Sequence, residues 1–305
     1  MKCPKCKETV PEAQYCDLCG MDLQKVTIIS EAPSTESRAD TFQKKYKYVR
    51  QIGEGGMGIV YEAVDTSIDR PVAIKKMREE IKINPKQKRK FLEEAKRVAK
   101  LDHRNIVSIL TVEEEPDICI VFEYVDGVTL ENRISNEDKI ALKEALKIAG
   151  QVLDGMEYAH GKGVIHRDLK PANVMIKKDG TVKLMDFGIA AEAHRTIMTV
   201  TKTVETSGTL AYMAPEQQLG KFDEKSDIYS FGVMFYEMLT GELPFQGQSL
   251  LEQKERMVFT PMTELVPALP AAMDKFFVSL IHEDKEKRFA SAGAVRKELE
   301  KIKQQ

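Results

Sequence analysis

The chain has 305 residues, of which 42% are hydrophobic, so it is long enough to bury the core of a two-lobed domain and to carry a small appendage. Its net charge of −2 gives no reason to expect a nucleic-acid partner. No apolar run is long enough to cross a membrane and no signal peptide opens the chain, so we expect a cytoplasmic protein without a membrane partner.

Four of the five cysteines lie near the start of the chain, as Cys3, Cys6, Cys16 and Cys19. The spacing C-x2-C-x9-C-x2-C is typical of two knuckles that complete a tetrahedral zinc site, and the segment resembles a small zinc ribbon. Two disulfides or loose thiols are the alternative, but so short a segment has almost no core without a metal. We therefore predict a zinc ribbon with a structural Zn²⁺ over residues 1–25. Its balanced charges favour contact with a protein.

A flexible linker is predicted over residues 26–45, because its central part is polar and lacks periodicity. From Tyr46 the pattern predicts β-strands. A G-x-G-x-x-G pattern follows, made by Gly53, Gly55 and Gly58. This pattern is weak by itself, but strand-like residues flank it on both sides, where a dinucleotide-binding fold would need a helix.

The next two segments place a lysine on a strand and a glutamate on a helix. Residues 72–75 predict a strand in which Ala73 and Lys75 share one face. Asn84-Pro85 is a good helix start, and Glu94 lies at the edge of the apolar stripe of that helix. Neither side chain is informative alone, since strand lysines and helix carboxylates are usually only solvated.

A hairpin is predicted within residues 164–188, after a buried helix over residues 138–160. Asp179-Gly180 suits a two-residue turn, which would place Asn173 opposite Asp186. Asp168 lies five residues before Asn173 on the entering loop. Each of these side chains alone would be expected to cap a strand end or a turn. Together they offer the hard oxygen ligands that suit Mg²⁺.

The motifs HRDLKPAN at residues 166–173 and DFG at residues 186–188 resemble those of the eukaryotic-type (Hanks-type) serine/threonine protein kinases. The resemblance covers residues 46–303 and is bacterial-like in its activation loop. It implies an α+β, bilobal protein kinase fold. The expected parts are a β-rich N-lobe at 46–122, a hinge at 123–127 and an α-rich C-lobe at 128–303.

The resemblance also implies roles for individual residues. Asp168 would be the catalytic base, Lys170 would neutralise the transferred γ-phosphoryl group, and Lys75 would pair with Glu94. Asn173 and Asp186 would bind Mg²⁺ or Mn²⁺. The expected ATP-binding residues are Ile52, Gly53, Gly55, Gly58, Val60, Ala73, Lys75, Glu123, Val125, Asn173 and Asp186, with Phe122 at the back of the pocket.

A threonine-rich activation loop is expected between the DFG motif and residue 213. Thr201 and Thr203 are the expected phosphosites, and Arg167 is an unpaired cation that a phosphate could satisfy. Asp227, in a buried helix, would accept N–H groups of the catalytic loop, and Arg288 would pair with Glu216. Autophosphorylation in trans would involve a transient homodimer.

Three functions are compatible with these features. The first is an ATP-dependent kinase acting on protein serine and threonine, and Lys170 together with Thr209 resembles that branch. The second is a pseudokinase scaffold, which the presence of Lys75, Asp168 and Asp186 disfavours. In the third, the zinc ribbon is the main functional module and the kinase regulates it. One departure from the family is Tyr229, where many members have Trp.

Overall fold

The structure, a computed structural model, describes residues 42, 44–55, 58–78, 85–114, 117–187, 206–247 and 249–303. The predicted zinc ribbon with its four cysteines and the phosphosites Thr201 and Thr203 lie outside the described residues. A β-rich lobe precedes an α-rich lobe, so the expected bilobal, α+β arrangement is confirmed.

The first lobe is built on an antiparallel sheet with the strand order β1-β2-β3-β5-β4. Its strands are β1 (Tyr46–Gly55), β2 (Gly58–Asp65), β3 (Arg70–Met77), β4 (Ile109–Glu113) and β5 (Cys119–Glu123). One face carries a small apolar cluster that includes Val72, Ile74 and Val121. Alternation along β3 therefore turns Ala73 and Lys75 toward the other face, as the pattern predicts.

The compact unit begins at Phe42, inside the predicted linker. Phe42 is buried, and its ring centroid lies 5.0 Å from that of Tyr46. Burial of an aromatic side chain is a large apolar contribution, so the last residues of the 26–45 segment belong to the folded lobe.

Helix α1 (Pro85–Val98) packs against the sheet at β4. Phe91, Ala95 and Val98 are buried in the main hydrophobic core, which confirms the predicted apolar stripe. Glu94 lies at the edge of that stripe, with 18% of its side chain exposed. The helix thus carries Glu94 to the boundary between the lobes.

The second lobe is helical apart from a small sheet of β6 (Gly127–Thr129), β7 (Val174–Lys177) and β8 (Val182–Leu184). Its helices are α2 (Leu130–Glu137), α3 (Leu142–His160), α4 (Thr206–Tyr212), α5 (Pro215–Gln218), α6 (Glu224–Thr240), α7 (Leu250–Glu255), α8 (Met262–Leu265), α9 (Ala272–Ile281) and α10 (Ala292–Lys303). Helix α3 starts four residues later than predicted. Asp138 has a positive φ of 61°, and the Ile140 amide donates to the Met238 carbonyl at 2.6 Å.

Helix α6 forms the centre of this lobe, because it is buried on nearly all sides. Asp223 caps its first turn, and Gly241 ends it with a left-handed φ of 79°. A helix that is buried on nearly all sides has to be surrounded by others, and α3, α4, α8 and α9 pack against it. None of the described helices combines the length and the apolar character that crossing a bilayer requires.

Gly232 sets how closely α6 and α9 approach each other. A Cβ added there would lie 2.8 Å from both Leu280 Cβ and Ile281 Cγ2. A Cβ added at Gly150, in α3, would meet no atom within 4 Å. We expect Gly150→Ala to raise the free energy of unfolding by about 1 kcal/mol, because alanine is the better helix former. We expect the free energy of unfolding of Gly232→Ala to be lower than that of Gly150→Ala by about 1–3 kcal/mol, the typical cost of overpacking.

Denaturant unfolding of the two variants beside wild type measures both effects. The helix-propensity gain is common to them, so their difference reports the α6–α9 contact alone. Equal unfolding free energies would show that α9 moves away from α6 without cost.

Candidate active site

A row of cross-strand neighbours links the glycine pattern to Lys75. Gly53 lies opposite Val60, and Val60 lies opposite Lys75. A Cβ at Gly58 would lie 2.1 Å from the Lys76 carbonyl oxygen, so only glycine fits there. Among the described residues, no atom lies within 4 Å of a Cβ added at Gly55, so these residues leave space for a ligand at the strand end.

The residues predicted to contact adenine lie on β3 and β5 and in the segment after β5. Ala73 pairs with Phe122 across β3 and β5, so a small and a bulky side chain lie next to each other. Ile52, which lies in β1 just before the glycine pattern, is 40% exposed. Among the described residues, the main-chain N–H and C=O of Val125 have no hydrogen-bond partner, so both are available to a ligand.

The side chain of Glu123 connects the end of β5 to the β7–β8 hairpin. Its Oε1 accepts from Lys183 Nζ at 2.5 Å and from the Ser108 amide at 3.0 Å. Both side chains are mostly buried, with 13% of Lys183 and 20% of Glu123 exposed. The sequence analysis missed Lys183, although its alternation with the buried Val182 and Leu184 on β8 was a usable signal.

The register of the hairpin differs by one residue from the prediction. Val174 lies opposite Leu184, and the loop is the three residues 178–180, with Gly180 at a φ of 79°. A three-residue loop with glycine in the left-handed region is a common alternative to the two-residue turn. Asn173 therefore lies opposite Met185, whose amide donates to the Asn173 carbonyl at 3.0 Å, and not opposite Asp186. Asp186 follows as the next residue.

Asp168, Lys170 and Asn173 are joined by direct contacts. Asn173 Nδ2 donates to the Asp168 backbone carbonyl at 2.8 Å and to Asp168 Oδ2 at 3.0 Å. Lys170 Nζ lies 3.1 Å from Asp168 Oδ2 and donates to Thr209 Oγ1 at 2.9 Å. A carboxylate is thus held between an amide and an ammonium group beside the chain segment that contains Thr209.

The expected pairing of Lys75 with Glu94 is not formed in this structure. Lys75 Nζ instead donates to Asp186 Oδ1 at 2.7 Å. Glu94 accepts from Arg167 Nη1 at 2.6 Å, so Arg167 is not the unpaired cation that the sequence suggested. The Arg167 guanidinium also lies 4.3 Å from the centre of the Phe222 ring.

Lys75 controls the charge of Asp186. Burial by itself would raise the pKa of this carboxyl, but the charge and the hydrogen bond of Lys75 outweigh it and hold the pKa below its ordinary value. Asp186 is therefore ionised at neutral pH. Its φ of 57° is rare for a residue other than glycine and indicates that the surrounding structure imposes this conformation.

Asp227 holds the catalytic loop from inside the lobe, as predicted. It accepts from the amides of His166 at 2.7 Å and Arg167 at 2.8 Å. Its Oδ2 also lies 2.8 Å from His160 Nε2. The hydrogen bond and charge of Asp227 raise the pKa of His160 against the effect of burial. The loop thus has a fixed, fully buried anchor.

The segment after Thr209 is held by a second buried pair. Arg288 donates to Glu216 through two nitrogens, at 2.7 and 2.9 Å, as the resemblance implied. Burial would raise the pKa of Glu216, but the Arg288 contact holds it below its usual value. Gln217 adds a contact that the sequence analysis missed, since its Nε2 donates to the Arg167 carbonyl at 3.1 Å.

A metal site can be assessed only for the described residues. No group of three His, Cys, Asp or Glu side chains there is placed to hold a metal ion. The cysteines predicted to bind zinc lie outside these residues. Asp168, Asn173 and Asp186 offer two carboxylates and an amide, a donor set of the kind that holds Mg²⁺ together with phosphate oxygens and water.

Comparison with known proteins agrees with this geometry. Residues 46–299 match the family model of the protein kinase domain. The chain is 38% identical over 253 residues to serine/threonine-protein kinase PrkC of Bacillus subtilis, covering 81% of this chain and 39% of that protein. It is 35% identical over 267 residues to serine/threonine-protein kinase PknB of Mycobacterium tuberculosis, covering 85% of this chain and 43% of that protein. The chain therefore spans about two fifths of the length of these relatives.

Solved structures have the same fold. The kinase domain of PknI from Mycobacterium tuberculosis superposes with a TM-score of 0.67 at 24% identity, covering 85% of this chain and 96% of that one. Residues 1–466 of Rad53 in complex with AMP-PNP superpose with a TM-score of 0.70 at 26% identity, covering 84% of this chain and 65% of that one.

Proposed function

The chain belongs to the protein kinase family, and on that premise we propose that it transfers the terminal phosphoryl group of ATP to serine and threonine hydroxyls of proteins. The observation that carries the proposal is the contact chain Asp168–Lys170–Thr209, with Asn173 holding Asp168 from the other side. The names of the relatives support the choice of acceptor.

In this proposal Asp168 orients the acceptor hydroxyl and takes its proton. Lys170 lies beside it and balances the charge on the phosphoryl group in transit. Lys75 directs its ammonium toward the nucleotide phosphates. These roles require positioning more than covalent chemistry, as expected for phosphoryl transfer.

The nucleotide would lie on the cleft face described above. The open strand end at Gly55 suits phosphates, the Ala73–Phe122 pair suits a flat base, and the main-chain groups of Val125 suit its polar edge. Asn173 and Asp186 would hold Mg²⁺, because they supply oxygen ligands and Asp186 is ionised at neutral pH. The metal, when bound, neutralises phosphate charge.

Pairing of Glu94 with Arg167 supports a role for phosphorylation in activation. A phosphate on the loop that contains Thr201 and Thr203 would compete with Glu94 for the Arg167 guanidinium. Glu94 would then be free to pair with Lys75, in place of Asp186. The phosphate can bind Arg167 only when Glu94 has left it. Its binding therefore raises the fraction of molecules in which Glu94 pairs with Lys75.

We expect mass spectrometry of wild-type protein incubated with magnesium and ATP to find phosphate on Thr201 and Thr203. The Asp168→Asn variant should carry none, which excludes phosphorylation by the expression host. If a transient homodimer mediates the reaction, the rate per molecule should rise with protein concentration. Both threonines unmodified in an active preparation would contradict the assignment.

We further propose that residues 1–25 form a separate zinc ribbon that contacts a protein. Support comes from the spacing of Cys3, Cys6, Cys16 and Cys19. Metal analysis of purified protein should find one zinc per chain in wild type and less zinc in Cys16→Ser. Cys119→Ser is the matched control and should keep the wild-type zinc content. Two disulfides would instead give no zinc and no free thiol among these four.

The acceptor class is tested by phosphoamino-acid analysis of casein incubated with wild-type protein and labelled ATP. Phosphoserine or phosphothreonine is expected. Phosphotyrosine would contradict the acceptor class. If neither casein nor the chain itself is labelled, the pseudokinase scaffold replaces the present proposal.

A further inference from the structure

Lys254, in the short helix α7, is fully buried although it is a lysine. Its Nζ donates to the backbone carbonyls of Leu210 at 2.6 Å and Met213 at 2.7 Å. Among the described residues it has no carboxylate partner, and its Nζ lies 5.7 Å from the centre of the Tyr229 ring. Both hydrogen bonds therefore go to one short segment, residues 210–213.

Burying an amine in this position costs free energy, so we expect its hydrogen bonds to have a structural role. Burial lowers the pKa of Lys254 to about 7, because no anion compensates for the lost water. A leucine or methionine would fill the same space without this penalty. What only the lysine provides is a pair of N–H donors directed at two carbonyl groups.

The carbonyls that Lys254 binds lie at the end of α4, whose residues reach the catalytic loop. Thr209, one residue before Leu210, accepts the hydrogen bond from Lys170, which in turn contacts Asp168. Through Thr209 this segment therefore borders Lys170 and Asp168, where the proposed function places the acceptor hydroxyl. Carbonyls at a helix C-terminus lack intrahelical partners and favour a cationic or N–H-donating neighbour.

Tyr229 connects this anchor to the one at Glu216. The Arg288 guanidinium lies 4.9 Å from the centre of the Tyr229 ring, and Lys254 Nζ lies 5.7 Å from the same point. Arg288 holds Glu216, and Lys254 holds Leu210 and Met213. Two basic side chains and one ring thus fix both ends of residues 210–216. The departure from tryptophan at position 229 falls at the centre of this arrangement.

We propose that Lys254 is a positioning residue for the protein acceptor: by holding the Leu210 and Met213 carbonyls it fixes the segment against which the acceptor docks beside Asp168. The proposal rests on the proposed kinase function. It assigns Lys254 no contact with the nucleotide. Its loss therefore affects the acceptor and leaves ATP binding unchanged.

The test compares Lys254→Met, which keeps the length of the side chain and removes its N–H donors, with Lys275→Met, an exposed lysine on α9. With casein as acceptor, we expect Lys254→Met to raise the KM for casein by about tenfold, the effect of one or two hydrogen bonds. The KM for ATP should stay within about twofold, whereas Lys275→Met should match wild type. An unchanged casein KM, or an equal rise in both KM values, would overturn the proposal.

Hydrogen exchange on wild-type protein gives a second test that does not depend on the variant folding. Saturating casein should slow amide exchange both in residues 206–213 and in α7. Protection of the first segment without protection of α7 would show that Lys254 is not coupled to docking. A wild-type protein that phosphorylates neither casein nor itself would instead refute the kinase function, so the two failures are distinguishable.

Discussion

Replacing Asp168 by asparagine is expected to lower kcat for protein phosphorylation by about 10²–10⁴-fold, the usual contribution of a positioned general base. Asparagine is close in size but cannot accept a proton. The loop should keep its shape, because Asn173 Nδ2 also donates to the Asp168 backbone carbonyl and Asp227 holds the amides of His166 and Arg167. The affinity for ATP should therefore change little.

Asp179→Asn is the matched control for this variant. Asp179 is an exposed carboxylate in the turn of the same hairpin, and asparagine can still accept the Thr181 amide there. Steady-state kinetics with casein and ATP should give near wild-type values for Asp179→Asn. If Asp168→Asn retained more than about a tenth of wild-type kcat, the assignment of Asp168 as the base would fail.

Replacing Lys75 by methionine is expected to lower kcat/KM for ATP by about 10²–10³-fold, the cost of removing one preorganised electrostatic contact. Lys75 is 12% exposed and is the cation that Asp186 contacts. Without it, the nucleotide phosphates lose the ammonium group that the proposed mechanism directs at them. The variant should therefore lose binding as well as turnover.

Lys76→Met controls for the loss of a lysine from the same strand. Lys76 points to the opposite face of β3, is 41% exposed and pairs with Asp117. Its replacement should leave kcat/KM for ATP within about twofold of wild type, since exposed ion pairs contribute little. Equal losses in the two variants would indicate a general defect of β3 and not a specific role for Lys75.

Patterns of alternation and helical spacing predicted most of the fold. The apolar stripe of α1, the buried α6 and the shared face of Ala73 and Lys75 depend on local periodicity, which the sequence contains. The hairpin register is one residue off, because Asp179-Gly180 is compatible with both a two-residue and a three-residue loop.

The ion pairs of the site could not be predicted in the same way. Lys75 has two possible carboxylate partners, Glu94 and Asp186, and the choice depends on where α1 lies relative to the catalytic loop. Local sequence does not contain that information. Lys254 is a stronger example, because a lysine between Gln253 and Glu255 looks solvated until the packing of α7 against Leu210 and Met213 is known.

The central claim is that Asp168, Asn173, Asp186 and Lys75 together direct the terminal phosphoryl group of a magnesium-bound nucleotide at a protein hydroxyl. It is tested most directly by incubating wild-type protein and casein with ATP labelled in either the α- or the γ-phosphoryl group, with magnesium or with a chelator. We predict that protein is labelled from the γ-position only and only with the divalent cation present. Label from the α-position, or no label from either position with magnesium or manganese supplied, would contradict the account.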